Sequence, residues 1–145
     1  MNNAKANDSM DRAWWALRIF FGAVPLVAGL DKYFNVLTDW SAYVNPLMTK
    51  IVPLSASTFL HIVAVIEIAA GIIVLTRWTR LGAYVVMLWL VGIACNLALM
   101  GKYYDVAVRD LGLAIGAFTL AQLAARREAM APQTEERLFT QSVNA

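Results

Sequence analysis

The sequence predicts an all-α integral membrane four-helix bundle with a short interfacial helix between helices 1 and 2. Three observations carry this reading. The chain has 145 residues, of which 60% are hydrophobic and 15% charged; a soluble domain is roughly 45–50% apolar and about 25% charged. Four segments reach the ~20 mostly apolar residues that cross a bilayer as a helix. Tryptophan and tyrosine cluster at the segment ends, where amphipathic rings meet lipid headgroups.

The elements follow in order. Residues 1–12, "MNNAKANDSMDR", are polar and read as a cytoplasmic N-terminal segment. The transmembrane domain spans 13–126. Its first helix covers 13–34; Arg18 interrupts the apolar run, and the absence of a small-residue cleavage site argues for a retained helix, not a signal peptide. Pro25 is tolerated within a membrane helix and is expected to kink it. The segment "LTDWSAYVNPLMTKIVPLSAS" is too long for a tight turn and too apolar for a solvated loop. Thr38 or Asp39 is placed to cap a short helix there, while Pro46 and Pro53 prevent a long one.

The second and third helices cover 57–76 and 81–100, joined by the short "RWTR". The fourth covers 105–125 and follows the equally short "GKYYD". Connections this short make helices 2, 3 and 4 successive antiparallel neighbours. Residues 127–145 are polar, contain Pro132, and read as a cytoplasmic tail that frays or forms a surface helix.

Orientation follows from the basic residues outside the spans. One side carries Lys5, Arg12, Arg77, Arg80, Arg126, Arg127 and Arg137; the other carries Lys32, Lys50 and Lys102. The excess places both termini in the cytoplasm. Trp14, Trp15 and Trp78 then fall at the inner interface, and Tyr33, Trp40, Tyr43, Tyr103 and Tyr104 at the outer one.

Composition also limits the chemistry. One cysteine, Cys95, and one histidine, His61, leave no internal disulfide and no cluster of soft ligands, so no metal site is expected. The net charge of +2 gives no reason to expect nucleic-acid binding, and there is no phosphate-cradling glycine loop or nucleophile elbow.

The informative residues are polar groups at membrane depth. Each ionised side chain there costs roughly 2.5–3.5 kcal/mol or more, so each needs a partner or a purpose. Arg18 is close enough to the cytoplasmic end of helix 1 to snorkel back to the headgroups. Glu67 lies near the middle of helix 2. Lys32, His61, Asn96, Asp105, Arg109 and Asp110 all fall in the outer half. These residues, with Glu67, form the candidate polar pocket, in which Lys32 and Arg109 neutralise Asp31, Glu67, Asp105 and Asp110. Asp105 and Arg109 stand at i and i+4 with the acid first, the favourable order, and acids at the start of helix 4 suit its macrodipole. Glycines accompany the polar groups: Gly29 near Lys32, Gly71 after Glu67, Gly92 before Asn96, and Gly112 and Gly116 after Arg109. Small residues let membrane helices approach closely, so these stripes are expected to face the bundle centre. Trp89, in mid-span, reads as packing or lipid-facing, and Cys95 as a small buried hydrophobe.

With "RIFFGAVPLVAGLDKYF", "EIAAGIIVL" and "RDLGLAIGAFTLAQL" on successive helices, the chain resembles the DoxX-like family of small four-helix bacterial membrane proteins. Arg18, the Gly29-x-x-Lys32 pair, and Glu67 followed by Gly71 carry the resemblance; Arg18, Gly29, Gly71, Gly112 and Gly116 are read as structural. The resemblance implies a multi-pass protein of the bacterial inner (plasma) membrane with a link to membrane redox complexes, some of them quinone-linked. Three roles stay open for the polar cluster: a buried network that fixes helix register, a small-molecule or proton site, and a dock for a partner subunit. Two functions follow. One is a non-catalytic membrane subunit or anchor of a redox complex, with quinone as the candidate cofactor and other proteins of the complex as partners beside the lipid bilayer. The other is a stand-alone binder or enzyme acting on a small lipophilic molecule, with Glu67 as its proton-handling group.

Overall fold

The computed structural model describes the backbone of residues 3–46 and 54–143 and the side chains of residues 8–46 and 54–131. Helix α1 runs Asn3–Asp31, α2 Ala56–Leu75, α3 Thr79–Met100 and α4 Tyr104–Val143; a one-turn 3₁₀ helix, η1, covers Trp40–Tyr43. Four stretches are long and apolar enough to cross a membrane: Asp8–Asp31, Ala56–Leu75, Thr79–Met100 and Tyr104–Ala131. α1 packs on α2, α2 on α3, α3 on α4, and α4 back on α1, which closes a four-helix ring; η1 lies against α2. One end of the bundle carries η1 and the α3–α4 turn and is called here the loop end. The other carries the α2–α3 turn and the contact of Asp11 with Arg127 near the two chain ends.

Alanine makes up much of the interior, around a few large side chains such as Phe21, Leu97 and Leu120, and many large residues face outward. Ala64, Ala70, Ala83, Ala94, Ala107, Ala114, Ala117, Ala121 and Ala124 are buried, while Val27, Leu88, Leu99, Val108 and Ile115 are more than half exposed. This distribution suits a bundle in hydrocarbon. Lipid gives no hydrophobic reward for hiding leucine, so close backbone packing selects small residues for the interfaces. The backbones of α1 and α2 approach closely. A Cβ on Gly71 would stand 2.6 Å from Gly22 O, and one on Gly29 would stand 2.8 Å from Ala64 O. Gly82 plays the same part between α3 and α2, 2.6 Å from Val74 N.

Element ends differ from the sequence reading in three places. α1 begins at Asn3, so most of the polar N-terminal segment is helical. At its other end it stops at Asp31, three residues short of the expected Phe34. The Asp31 carboxylate accepts from Val36 N and Leu37 N, and Asn35 takes a positive φ of 52°; together they turn the chain away from the helix axis. Asp39 caps the short helix through Ser41 N, as one of the two expected residues. Residues 47–53 of that insertion, including Pro53, lie outside the described residues. α4 continues past Arg126 and through Pro132 to Val143, so the tail is helical, which was one of its two expected forms. Its 40 residues make a rod of about 60 Å, twice the ~30 Å of hydrocarbon.

Arg18 reaches the end of α2. Its guanidinium donates from Nε to Val74 O at 3.3 Å and from Nη2 to Leu75 O at 2.6 Å and Thr76 O at 2.9 Å. The last carbonyls of a helix lack intrahelical donors, and in the membrane the cost of leaving them bare is high. Arg18 of α1 therefore caps α2, and Thr79 Oγ1 adds a further bond to Val74 O at 2.9 Å.

Candidate functional site

The site grows from the point where α1 ends. Gly29 lets α1 lie directly on α2, which brings Lys32, one residue past the helix, over the middle of its neighbour. Lys32 Nζ donates to Glu67 Oε2 at 2.6 Å, with the two side chains 3% and 9% exposed. A pair this deeply buried persists only if its remaining hydrogen-bonding capacity is met, and here it is. Trp89 Nε1 of α3 donates to Glu67 Oε1 at 3.3 Å. Lys32 Nζ also reaches Ala28 O at 3.4 Å and stands 3.6 Å from the Trp40 ring centroid, within cation–π range. The Trp40 indole donates to Asp31 Oδ2 at 2.8 Å. One connected network thus joins α1, η1, α2 and α3.

Beside this network lies a recess of about 330 Å³ lined by Lys32, Tyr33, Asn35, Asp39, Ser41, Ser57, Leu60 and His61. Tyr33 and His61 stack with centroids 4.7 Å apart and planes inclined by 11°. η1 is tied down from its far side as well. Asn96 Nδ2 donates to Tyr43 O at 3.3 Å, and the Tyr43 ring lies 4.7 Å from that of Tyr103. Asn96 therefore acts at the edge of the site by holding η1 in place.

The α4 charges are placed differently. Asp110 is buried, with its side chain 5% exposed, and Arg109 donates to Asp110 Oδ1 at 3.2 and 3.1 Å from Nε and Nη2. Arg109 itself is 65% exposed, Asp105 is exposed, and no hydrogen bond among the described residues joins this pair to Lys32 or Glu67. Arg109 serves Asp110, not the Asp105 that the i,i+4 spacing suggests, because a buried carboxylate needs a counter-charge more than a solvated one does. Gly112 has nothing within 4 Å of a built Cβ, and neither does Gly92; only Gly116 meets a neighbour, Phe21 at 2.9 Å. The interior face of α4 is the alanine stripe instead. Cys95 is exposed, not buried.

Of the candidate pocket residues, the fold therefore brings Lys32, Glu67 and His61 to one place, with Asn96 at its margin. Asp105, Arg109 and Asp110 stand apart. Sequence reasoning missed Trp89 and Trp40 as ligands of the ion pair. A signal for Trp89 existed: an indole N–H in mid-span needs an acceptor, and Glu67 is the acid at comparable depth. Among the described residues no group of three or more His, Cys, Asp or Glu side chains is arranged to hold a metal.

A family model described as DoxX matches residues 13–99, more than half of the chain. The chain belongs to the DoxX family. With four candidate spans, this DoxX-family chain is a multi-pass membrane protein. Comparison with curated proteins and with solved structures found no match. The matched stretch contains Arg18, Gly29, Lys32, Glu67, Gly71, Trp89 and Asn96 and stops before Asp105, Arg109 and Asp110. The network around the ion pair and the α2 cap thus lie within the DoxX-family region, and the α4 charges outside it.

Proposed function

We propose that this DoxX-family protein is a non-catalytic membrane subunit that anchors a redox assembly in the bacterial plasma membrane. In this reading both termini are cytoplasmic, the loop end lies in the outer leaflet, and the recess there receives the polar head of a quinone-class molecule. The observation that carries the reading is the recess beside the Lys32–Glu67 pair, walled by the parallel Tyr33 and His61 rings. A quinone head is flat and carries carbonyl acceptors. The Tyr33 hydroxyl and His61 ring N–H are donors of the matching kind, and stacked rings offer a face for a planar group. Bound quinone would supply electron transfer; the chain's residues would hold its head and orient it.

An anchoring role is favoured over acid–base catalysis by the state of Glu67. Each of its oxygens already has a donor, so as a proton-handling group in a stand-alone enzyme it would first have to leave Lys32. The basic residues near the chain ends support the orientation through the positive-inside bias.

The test is equilibrium binding of a labelled short-chain quinone to protein in lipid nanodiscs. Saturable binding is expected, abolished in Tyr33→Ala/His61→Ala without loss of helicity. Uptake that is linear in concentration and equal in both proteins sinks the quinone reading. Crosslinking in native membranes that recovers no oxidoreductase subunit sinks the anchoring one.

A further inference from the structure

The face of α4 that points away from the bundle carries residues that contact with lipid does not require. Asp105, Gly112, Thr119 and Arg126 recur every seven residues, and all four are exposed. Between them lie Val108 and Ile115, each 69% exposed. Alternating steps of three and four along one face are the seam of a paired helix. A Cβ on Gly112 would meet nothing within 4 Å, so the described fold does not use this glycine as it uses Gly71 or Gly82. Flanking the stripe, Arg109 exposes 65% of its side chain inside the Tyr104–Ala131 span, where an uncovered guanidinium is costly.

We propose that this face of α4 pairs with the same face of a second copy of the chain, with Arg109 of each copy ion-paired to Asp105 of the other. Charge complementarity selects the occupant. Two copies inserted in the same sense bring their α4 helices together in parallel about a two-fold axis along the membrane normal, so equal residue numbers meet at equal depth. Asp105 lies about 6 Å from Arg109 along the axis, toward the helix N-terminus, and helical side chains lean in that direction. Each Arg109 thus extends toward the level of the partner's Asp105, and the symmetry makes two such pairs. The required atoms are available. Arg109 engages Asp110 through Nε and Nη2, which leaves Nη1, and Asp105 makes no ion pair among the described residues. Gly112, midway between Val108 and Ile115, lets the two backbones approach closely.

The test is single-molecule photobleaching of fluorophore-labelled protein at high dilution in liposomes. Two bleaching steps are expected for the wild type. Gly112→Leu is expected to weaken association about tenfold with the helicity of the monomer unchanged, because a Cβ at this position meets nothing within 4 Å in its own copy. In a Cys95→Ser background, Ile115→Cys is expected to crosslink two copies and Leu88→Cys, on the exposed side of α3, is not. A single step for the wild type overturns the proposal, as does a dimer indifferent to Gly112→Leu. Crosslinking through Leu88→Cys alone, or capture of a different protein by Ile115→Cys in native membranes, overturns the choice of a second copy.

Discussion

Removing Lys32 while leaving Glu67 in place is the most informative perturbation of the loop end. Lys32 Nζ and Glu67 Oε2 are 2.6 Å apart, and neither side chain is more than a tenth exposed. At an effective dielectric of about 20, their attraction is about 6 kcal/mol, much of it offset by the cost of taking both charges out of water. Lys32→Met strands a carboxylate that keeps only the Trp89 indole as donor. The expected loss is about 3–5 kcal/mol, the usual cost of breaking a buried pair from one side. Glu67→Gln strands the ammonium, with a similar loss. The double variant Lys32→Met/Glu67→Gln removes both charges and keeps an acceptor for Trp89, so its loss is expected to be smaller than either single loss. Unfolding in mixed detergent and SDS micelles, followed by helicity, measures all four proteins. The resulting coupling energy is expected to be about 3 kcal/mol or more. Single variants within about 1 kcal/mol of the wild type, or a double variant equal to the sum of the singles, would refute the reasoning.

Three further expectations follow from the packing. Gly71→Ala forces a methyl against Gly22 O at 2.6 Å and is expected to cost about 1–3 kcal/mol, whereas Gly92→Ala, with open space around it, is expected to be neutral or slightly stabilising; the same SDS titration compares them. Arg18→Ala bares the carbonyls of Val74, Leu75 and Thr76 and is expected to cost about 1.5–3 kcal/mol, with faster amide exchange in the α2–α3 turn. Arg18→Lys is expected to restore only part of this, since a single ammonium does not reproduce the spread of the guanidinium fork. Asn96→Leu removes the donor to Tyr43 O and is expected to loosen η1, visible as altered Trp40 fluorescence, with the four helices intact.

The bundle was legible because its signal is compositional. Four apolar runs leave few arrangements, and the short "RWTR" and "GKYYD" make helices 2, 3 and 4 successive antiparallel neighbours. Glu67 and Lys32 were legible as a possible pair because an acid in mid-span demands a counter-charge. Their ligands were not, since periodicity cannot tell whether Trp89 faces lipid or a neighbour. The α4 charges were misplaced for a related reason. A glycine stripe looks alike whether it packs inside its own bundle, as Gly71 does, or faces outward, as Gly112 does. The end of α1 depended on Asp31 capturing the backbone N–H groups of Val36 and Leu37, a turn that no helix-stop residue announces.

The central claim is that Lys32 and Glu67 meet as a buried ion pair between the end of α1 and the middle of α2. Solid-state NMR on protein in lipid bilayers, with ¹⁵N at the Lys32 side chain and ¹³C at the Glu67 carboxyl, reads that contact directly. Strong dipolar dephasing between the two labels is the result expected from a 2.6 Å Nζ–Oε2 contact. No measurable dephasing, in a sample whose helicity is intact, would contradict it.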